Sequence, residues 1–308
     1  MMSTFLGLPA IRLDAIAPGE IVILGACDAT SYAMPEPSHA STAPHAIRQA
    51  SKRYMTWHHH HDFDVGGAML NTSLPRVVDA GDISTSPTTP RENRAAIEAA
   101  VRQVLEAGGT PIVLGGDDSV PIPVLAAFKQ HGPIWIVQVD AHIDWRDERS
   151  GERMGWSSPM RRASEMPWIA GIVQIGARGV GSAQLEDVQA ARRWGTRIIT
   201  ARQVHEEGIS VALEMIPEGV QTFLTLDCDG LDPSAMPAVV APVPGGLGYW
   251  HIVALLEGLA ARGRIAGFDL VELTPEKDVN AISALTAARI VTLAIGAIGR
   301  SNSSTPTS

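Results

Sequence analysis

Short apolar runs recur along the chain, and between them the apolar residues fall three and four apart. The runs at 21–26, 111–114, 134–140, 172–176, 197–200, 222–227 and 265–270 read as buried strands, and 77–82 as a short strand and turn. The spaced stretches read as helices. In 91–107, Ile97, Val101, Val104 and Leu105 form one apolar stripe, and Gly108-Gly109 stop it. Further helices are predicted from His45, to about Lys129, and over about 182–194, 202–215, 250–262 and 284–298. Strand alternating with helix predicts an α/β fold with a parallel sheet covered on both faces. Ligands of such sheets bind beyond the carboxyl ends of the strands.

Those ends are where the acidic residues collect. The run 134–140 leads into Asp140-Ala141-His142-Ile143-Asp144. Side chains alternate along a strand, which predicts Asp140, His142 and Asp144 on one face. Asp227 and Asp229 are expected to share a face in the same way, and Asp117-Asp118 follow Gly115-Gly116. Glu272 follows the last strand. Unpaired, so many carboxylates would repel and take up protons. Divalent cations resolve the conflict, and carboxylates with one imidazole suit Mn²⁺ or, less often, Ni²⁺ or Zn²⁺. Asp117 and Asp232 read instead as turn or capping residues.

Charge narrows the ligand. The formal net charge of -9 argues against nucleic-acid binding, which needs a basic face, and suits a small cationic substrate. Two cysteines, Cys27 and Cys228, in strand-like surroundings predict reduced thiols and a cytoplasmic setting. The first twenty residues lack a signal-peptide pattern, and no uncharged apolar stretch is long enough to span a membrane. His58-His59-His60-His61 reads as a solvated loop or strand edge. A single domain over 1–308 is expected, with 301–308 as a frayed tail.

Gly-Gly-Asp-Asp-Ser at 115–119, Asp-Ala-His-Ile-Asp at 140–144 and Asp-Cys-Asp-Gly-Leu-Asp-Pro at 227–233 resemble the three signatures of the ureohydrolase (arginase/agmatinase) family. Ala46–Ser51 and Gly267–Glu272 also look familial and favour its agmatinase-like branch. The resemblance implies a three-layer α/β/α fold, an eight-stranded, mainly parallel sheet and two divalent ions. One ion would take Asp118, Asp140, Asp144 and Asp227. The other would take His142, Asp140, Asp227 and Asp229. Asp144 would orient the attacking water and pass its proton to the departing nitrogen. Glu272 would pair with the planar guanidinium. The products would be urea, or a substituted analogue, and an amine. Family members commonly form trimers or hexamers, so a homo-oligomer is expected.

Three features depart from the family. His is usual at Asp118; with Asp there, five carboxylates, two divalent ions and a hydroxide leave about -2 rather than about -1. The extra charge weakens the metals as Lewis acids and holds a cationic substrate more strongly. Met154 stands where a proton-shuttling His is common, so Glu148, Glu152, His39 or bulk water must serve. The loop 33–39 lacks the usual basic, Gly-rich pattern, while Trp145 and Trp156 flank the site and could wall a pocket by cation–π contact. The substrate is then a guanidino compound other than agmatine, such as an N-alkylated guanidine or a biguanide. The departures also suit a weak or inactive subunit supporting an active relative in a hetero-oligomer.

Overall fold

The computed structural model describes residues 3–57, 60–68, 74–181 and 183–303. In chain order the elements are β1 (Ile21–Ala26), α1 (Ala43–Ser51), β2 (His61–Asp62), β3 (Gly67–Ala68), β4 (Val77–Asp82), α2 (Pro90–Glu106), β5 (Thr110–Gly115) and α3 (Pro121–Ala126). There follow β6 (Ile134–Val139), α4 (Pro159–Ala163), β7 (Ile169–Ala177), α5 (Leu185–Trp194), β8 (Arg197–Thr200), α6 (Ala201–Glu207) and α7 (Ser210–Leu213). The chain closes with β9 (Thr222–Asp227), α8 (Tyr249–Arg262), β10 (Ile265–Val271) and α9 (Ile282–Ser303).

Eight strands form one parallel sheet in the order β4-β1-β5-β10-β9-β6-β7-β8, and β2 pairs with β3 in a small ribbon. The continuous apolar strands are explained by burial on both sides. Ile23, Leu114, Val139 and Leu226 face a layer that includes Ile47 of α1, Leu255 of α8 and Ile295 of α9. Leu24, Val113, Ile136 and Phe223 face the opposite layer, with Val101 of α2, Leu125 of α3 and Met160 of α4. The result is the three-layer α/β/α architecture.

Topology places the site. The chain builds β1, β4 and β5, crosses to β6, β7 and β8, then returns with β9 and β10 to fill the gap. The carboxyl ends of β5, β10, β9 and β6 are therefore adjacent at the point where winding reverses, the place such sheets form a crevice. All four acidic segments follow these strands.

Some local expectations needed correction. The helix predicted over 202–215 is two helices, because Gly208 takes φ 82° and ends α6. The last helix runs further than predicted, through Ser303. Ser301, expected in a frayed tail, is buried, and its Oγ accepts from the N–H of Ile265 at the start of β10. The stretch Ile282–Asn302 of α9 is long and apolar enough to cross a membrane, with mean hydropathy 1.7, but 78% of it is buried inside the protein. Ala287, Ala288, Ala294 and Ala297 are buried among its contacts with α1 and α8, so it is a core helix. Cys27 and Cys228 are free thiols; burial pushes Cys27 up to about 12 and Cys228 well above its ordinary value. His61 lies in the β2–β3 ribbon and His60 beside it is exposed, while 58–59 fall outside the described residues.

Candidate metal centre

Three turns at the ends of three central strands converge. After β5, Gly116 passes so close to Cys27 that a Cβ would lie 2.1 Å from its carbonyl oxygen. The Glu272 N–H donates to Gly116 O at 2.9 Å, and the Asp118 N–H donates to Glu272 Oε1 at 2.8 Å. After β6, Asp140 Oδ1 accepts the His142 N–H at 2.6 Å. At the end of β9, Asp227 Oδ1 accepts the Asp229 N–H at 2.8 Å, and Asp229 Oδ1 reaches across to the Ala141 N–H at 3.1 Å. Asp144 and Glu272 both take positive φ, 41° and 67°, a costly conformation for residues with a Cβ.

Strand alternation does not bring these groups together, as the sequence suggested. The Asp140 N–H still pairs with Ile175 O of β7, but the next two N–H groups go to carboxylates, Ala141 to Asp229 and His142 to Asp140, and the chain turns. His142 and Asp144 then meet Asp140 in two different groups. His142, Asp140 and Asp229 place ligand atoms within 4.8 Å of one another, and so do Asp118, Asp140 and Asp144. Asp140 belongs to both groups. Asp227 interacts electrostatically with Asp229, Asp140, Glu272 and Asp118. All five aspartates are buried.

Such a cluster is balanced by protein charge only if it holds protons. Burial first, then the neighbouring carboxylates, push Asp118, Asp144 and Asp227 well above the usual carboxylate range. Asp229 rises to about 6 for the same reasons. Burial disfavours the charge on His142, but hydrogen bonds to Asp140 and Asp229 outweigh it and raise the ring to about 12. Burial also opposes charge on Asp140, yet its hydrogen bonds leave it lowered to about 2. His142 Nδ1 lies 3.2 Å from both Asp140 Oδ1 and Asp229 Oδ2, so a proton is held where a cation would sit between these ligands. Asp118 Oδ2 is buried and has no hydrogen-bond partner among the described residues. The donor set, carboxylate oxygens with one imidazole, therefore fits divalent cations.

The relatives of the chain share this arrangement of strands. Residues 20–296 match the model of the arginase family. The chain belongs to the arginase family. Its curated relatives include the N(1)-aminopropylagmatine ureohydrolase of Thermus thermophilus, 36% identical over 66% of this chain and 67% of that protein. The guanidinobutyrase of Pseudomonas aeruginosa is 31% identical over 70% and 69%. Among solved structures, proclavaminate amidino hydrolase from Streptomyces clavuligerus superposes with a TM-score of 0.82 at 28% identity, covering 98% of each chain. As an arginase-family member the chain is a hydrolase of guanidino C–N bonds.

Within this arginase-family frame, the remaining predicted residues divide. His39 is at the site: its Nε2 lies 2.6 Å from Glu272 Oε2. The Ser38 N–H donates to Asp28 Oδ1 at 2.8 Å, which closes the loop after β1 and holds His39 there. Trp156 packs edge-on to His39 at 5.3 Å and to Tyr32 at 4.3 Å, and so joins the mouth of the site. Trp145 does not. It is 2% exposed and packs near Trp194 of α5, 6.1 Å between rings, in the hydrophobic layer under the sheet. Asp144 turns its backbone over, which sends the next side chain down into the core. Asp117 accepts from the Ser119 N–H and hydroxyl, and Asp232 from the N–H groups of Ser234, Gly245 and Gly246, so both serve as turn residues. The Met154 N–H donates to Glu152 Oε1 at 2.7 Å, and Glu148 is exposed.

Three supporting residues escaped the sequence reading. Gln138 and Gln174 are buried in adjacent strands at the edge of the cluster. The one sequence signal is a polar residue interrupting each of the apolar runs of β6 and β7. Arg178 donates to the carbonyls of Gly176, Asp229, Gly230, Leu231 and Val243, pinning the turn that carries Asp229. Nothing local in the sequence marks it, since its acceptors are backbone atoms from distant segments.

The raised carboxylates give a signed pH dependence. Asp118, Asp144, Asp227 and Asp229 bind protons more tightly folded than unfolded, so above their ordinary range, near about pH 4, the folded state holds more protons and stability falls as pH rises. His142, raised to about 12, adds the same trend above about pH 6.5. Asp140 is lowered and acts oppositely, but only below about pH 4. Chelator-treated protein is therefore expected to melt at a lower temperature at pH 8 than at pH 5.5, and saturating Mn²⁺ should remove the difference. A melting temperature that rises with pH in the chelated protein would refute this charge assignment.

Proposed function

We propose that the chain hydrolyses a small cationic guanidino compound to urea, or a substituted urea, and an amine, at a centre of two divalent ions. Mn²⁺ is the first choice and Ni²⁺ the alternative. The observation that carries the reading is Asp140, one carboxylate common to two adjoining ligand groups. Asp118, Asp140, Asp144 and Asp227 would hold one ion. His142, Asp140, Asp227 and Asp229 would hold the other. The names of the relatives, a ureohydrolase, a guanidinobutyrase and an amidino hydrolase, support a guanidino or amidino head as the recognised part.

Bound, such ions supply a water that deprotonates near neutral pH. The protein supplies the rest. Glu272 recognises the planar cation. The His39 contact supports this, because a planar imidazolium against this carboxylate resembles a guanidinium in charge and shape. Trp156 and Tyr32 wall the mouth, with the Arg149 guanidinium 5.1 Å above the Tyr32 ring. Asp144, held at positive φ and raised by burial and Asp140, is placed to take a proton from the attacking water and give it to the departing nitrogen.

Proton exit falls to His39. Met154 cannot carry a proton, and the Glu152 carboxylate is engaged with the Met154 N–H. Burial opposes the charge on His39, but the hydrogen bond and charge of Glu272 outweigh it and raise its pKa. His39→Ala is expected to lower kcat roughly 10²-fold, in the range of a lost general acid or base, with partial rescue by added imidazole. Unchanged kcat would return the role to bulk water. The reading as a whole is tested by loading the purified chain with Mn²⁺, and separately Ni²⁺, and measuring urea and amine release across a panel of guanidino compounds, N-alkylated guanidines and biguanides included. Release only on addition of a related chain would replace it with the supporting-subunit role.

A further inference from the structure

One row of the sheet departs from the apolar rule. Across β10, β9, β6 and β7 the aligned residues are Asp269, Thr225, Gln138 and Gln174, each at most 1% exposed. Beyond them the row is apolar, Val113 of β5 on one side and Ile198 of β8 on the other. Burying four polar side chains in one row is expensive unless they do something for one another or for a neighbour. Gln138 does both. Its Nε2 donates to Asp140 Oδ2 at 2.7 Å and to Asp144 Oδ2 at 2.8 Å, so both amide hydrogens end on carboxylates. Its Oε1 accepts from Gln174 Nε2 at 2.5 Å, and Gln174 Nε2 also donates to the Ile143 carbonyl at 2.7 Å. Gln174 thus fixes Gln138, and also the backbone between His142 and Asp144.

We infer that Gln138, held by Gln174, is a positioning residue that clamps Asp140 and Asp144 in the orientation needed to bind the ion they share with Asp118. Once both are deprotonated to bind metal, two buried carboxylates this close repel and would swing apart. A Lys or Arg beneath them would pair them but would bring a charge that competes with the metal. An apolar residue would leave them unpinned. A neutral amide donates to both and adds no charge. The second ligand group meets this clamp only through Asp140, which faces the His142 N–H and ring with its other oxygen, Oδ1, while its other members, His142 and Asp229, are held by other partners. The inference rests on the two-ion reading.

The test is equilibrium Mn²⁺ binding to full-length wild type, Gln138→Met and Gln174→Met, alongside the melting temperature of each chelated protein. Partners one step behind a metal ligand set affinity by about 10–100-fold. Gln138→Met is expected to weaken by that factor the Mn²⁺ ion that takes both clamped carboxylates, and to weaken the other, which takes only Asp140 of the two, by less. Gln174→Met should weaken the first of these ions by a smaller factor than Gln138→Met does, because it acts through Gln138. A merely structural role would lower the melting temperature of the chelated proteins without changing either affinity. Wild-type affinity for both ions in folded Gln138→Met overturns the clamp, as does wild-type affinity in Gln174→Met if Gln138→Met does not fold. A wild type that binds no Mn²⁺ overturns the two-ion centre itself, and the clamp with it.

Discussion

Asp140→Ala is expected to remove both metal ions and to lower kcat/KM about a thousand-fold or more, since the several kcal/mol a metal contributes to the transition state goes with them. Among the described residues it is the side chain common to both groups of converging ligand atoms, and Asp227 is the second carboxylate proposed for both ions. Replacing it leaves Asp118 and Asp144 on one side and His142 and Asp229 on the other, with Asp227 alone to serve both. The Asp140 carboxylate also accepts the His142 N–H and the Gln138 amide, so its loss frees the turn that aims His142. Metal content by elemental analysis and urea release on the same sample measure the two effects together. The variant should still fold, because removing one of several mutually repelling buried carboxylates relieves the cluster. A folded Asp140→Ala chain that retains two ions would mean that Asp140 does not bridge.

The second large effect separates binding from metal. Glu272→Gln is expected to keep two ions while lowering kcat/KM roughly 10- to 100-fold, the size of a charge-assisted hydrogen bond to a cation. The amide can still accept the Asp118 N–H through its oxygen, so the turn after β5 should hold. What it cannot do is balance the charge of a guanidinium or of His39. Steady-state kinetics on the best guanidino substrate of the panel, with metal counted in parallel, checks this. A variant of unchanged kcat/KM would move cation recognition elsewhere, and one that loses metal would make Glu272 a structural support of Asp118.

The parallel sheet was legible because its strands are buried on both faces and so read as unbroken apolar runs. The acidic segments were legible because carboxylates are rare at buried strand ends without a reason. What the chain does between those ends was not. Strand alternation predicted one face for Asp140, His142 and Asp144, but a side-chain hydrogen bond at Asp140 and a positive φ at Asp144 override it. The same turn explains Trp145, which sits next to the site in sequence and under the sheet in space. Gln138 and Gln174 could be read only as polar interruptions, because their meaning depends on the register between β6 and β7. Arg178 and the His39–Glu272 contact are long-range pairings that no local pattern carries. By contrast, the roles assigned to Asp117 and Asp232 as turn residues follow from their short local spacing and hold in the structure.

The central claim is that two divalent ions share Asp140. Its most direct test is equilibrium dialysis of the chelated, full-length chain against Mn²⁺, with bound metal counted per chain and urea release followed on the same samples. The account predicts two ions per chain at saturation and activity that tracks occupancy of the second. Saturation at one ion or none, with urea release intact, would contradict it.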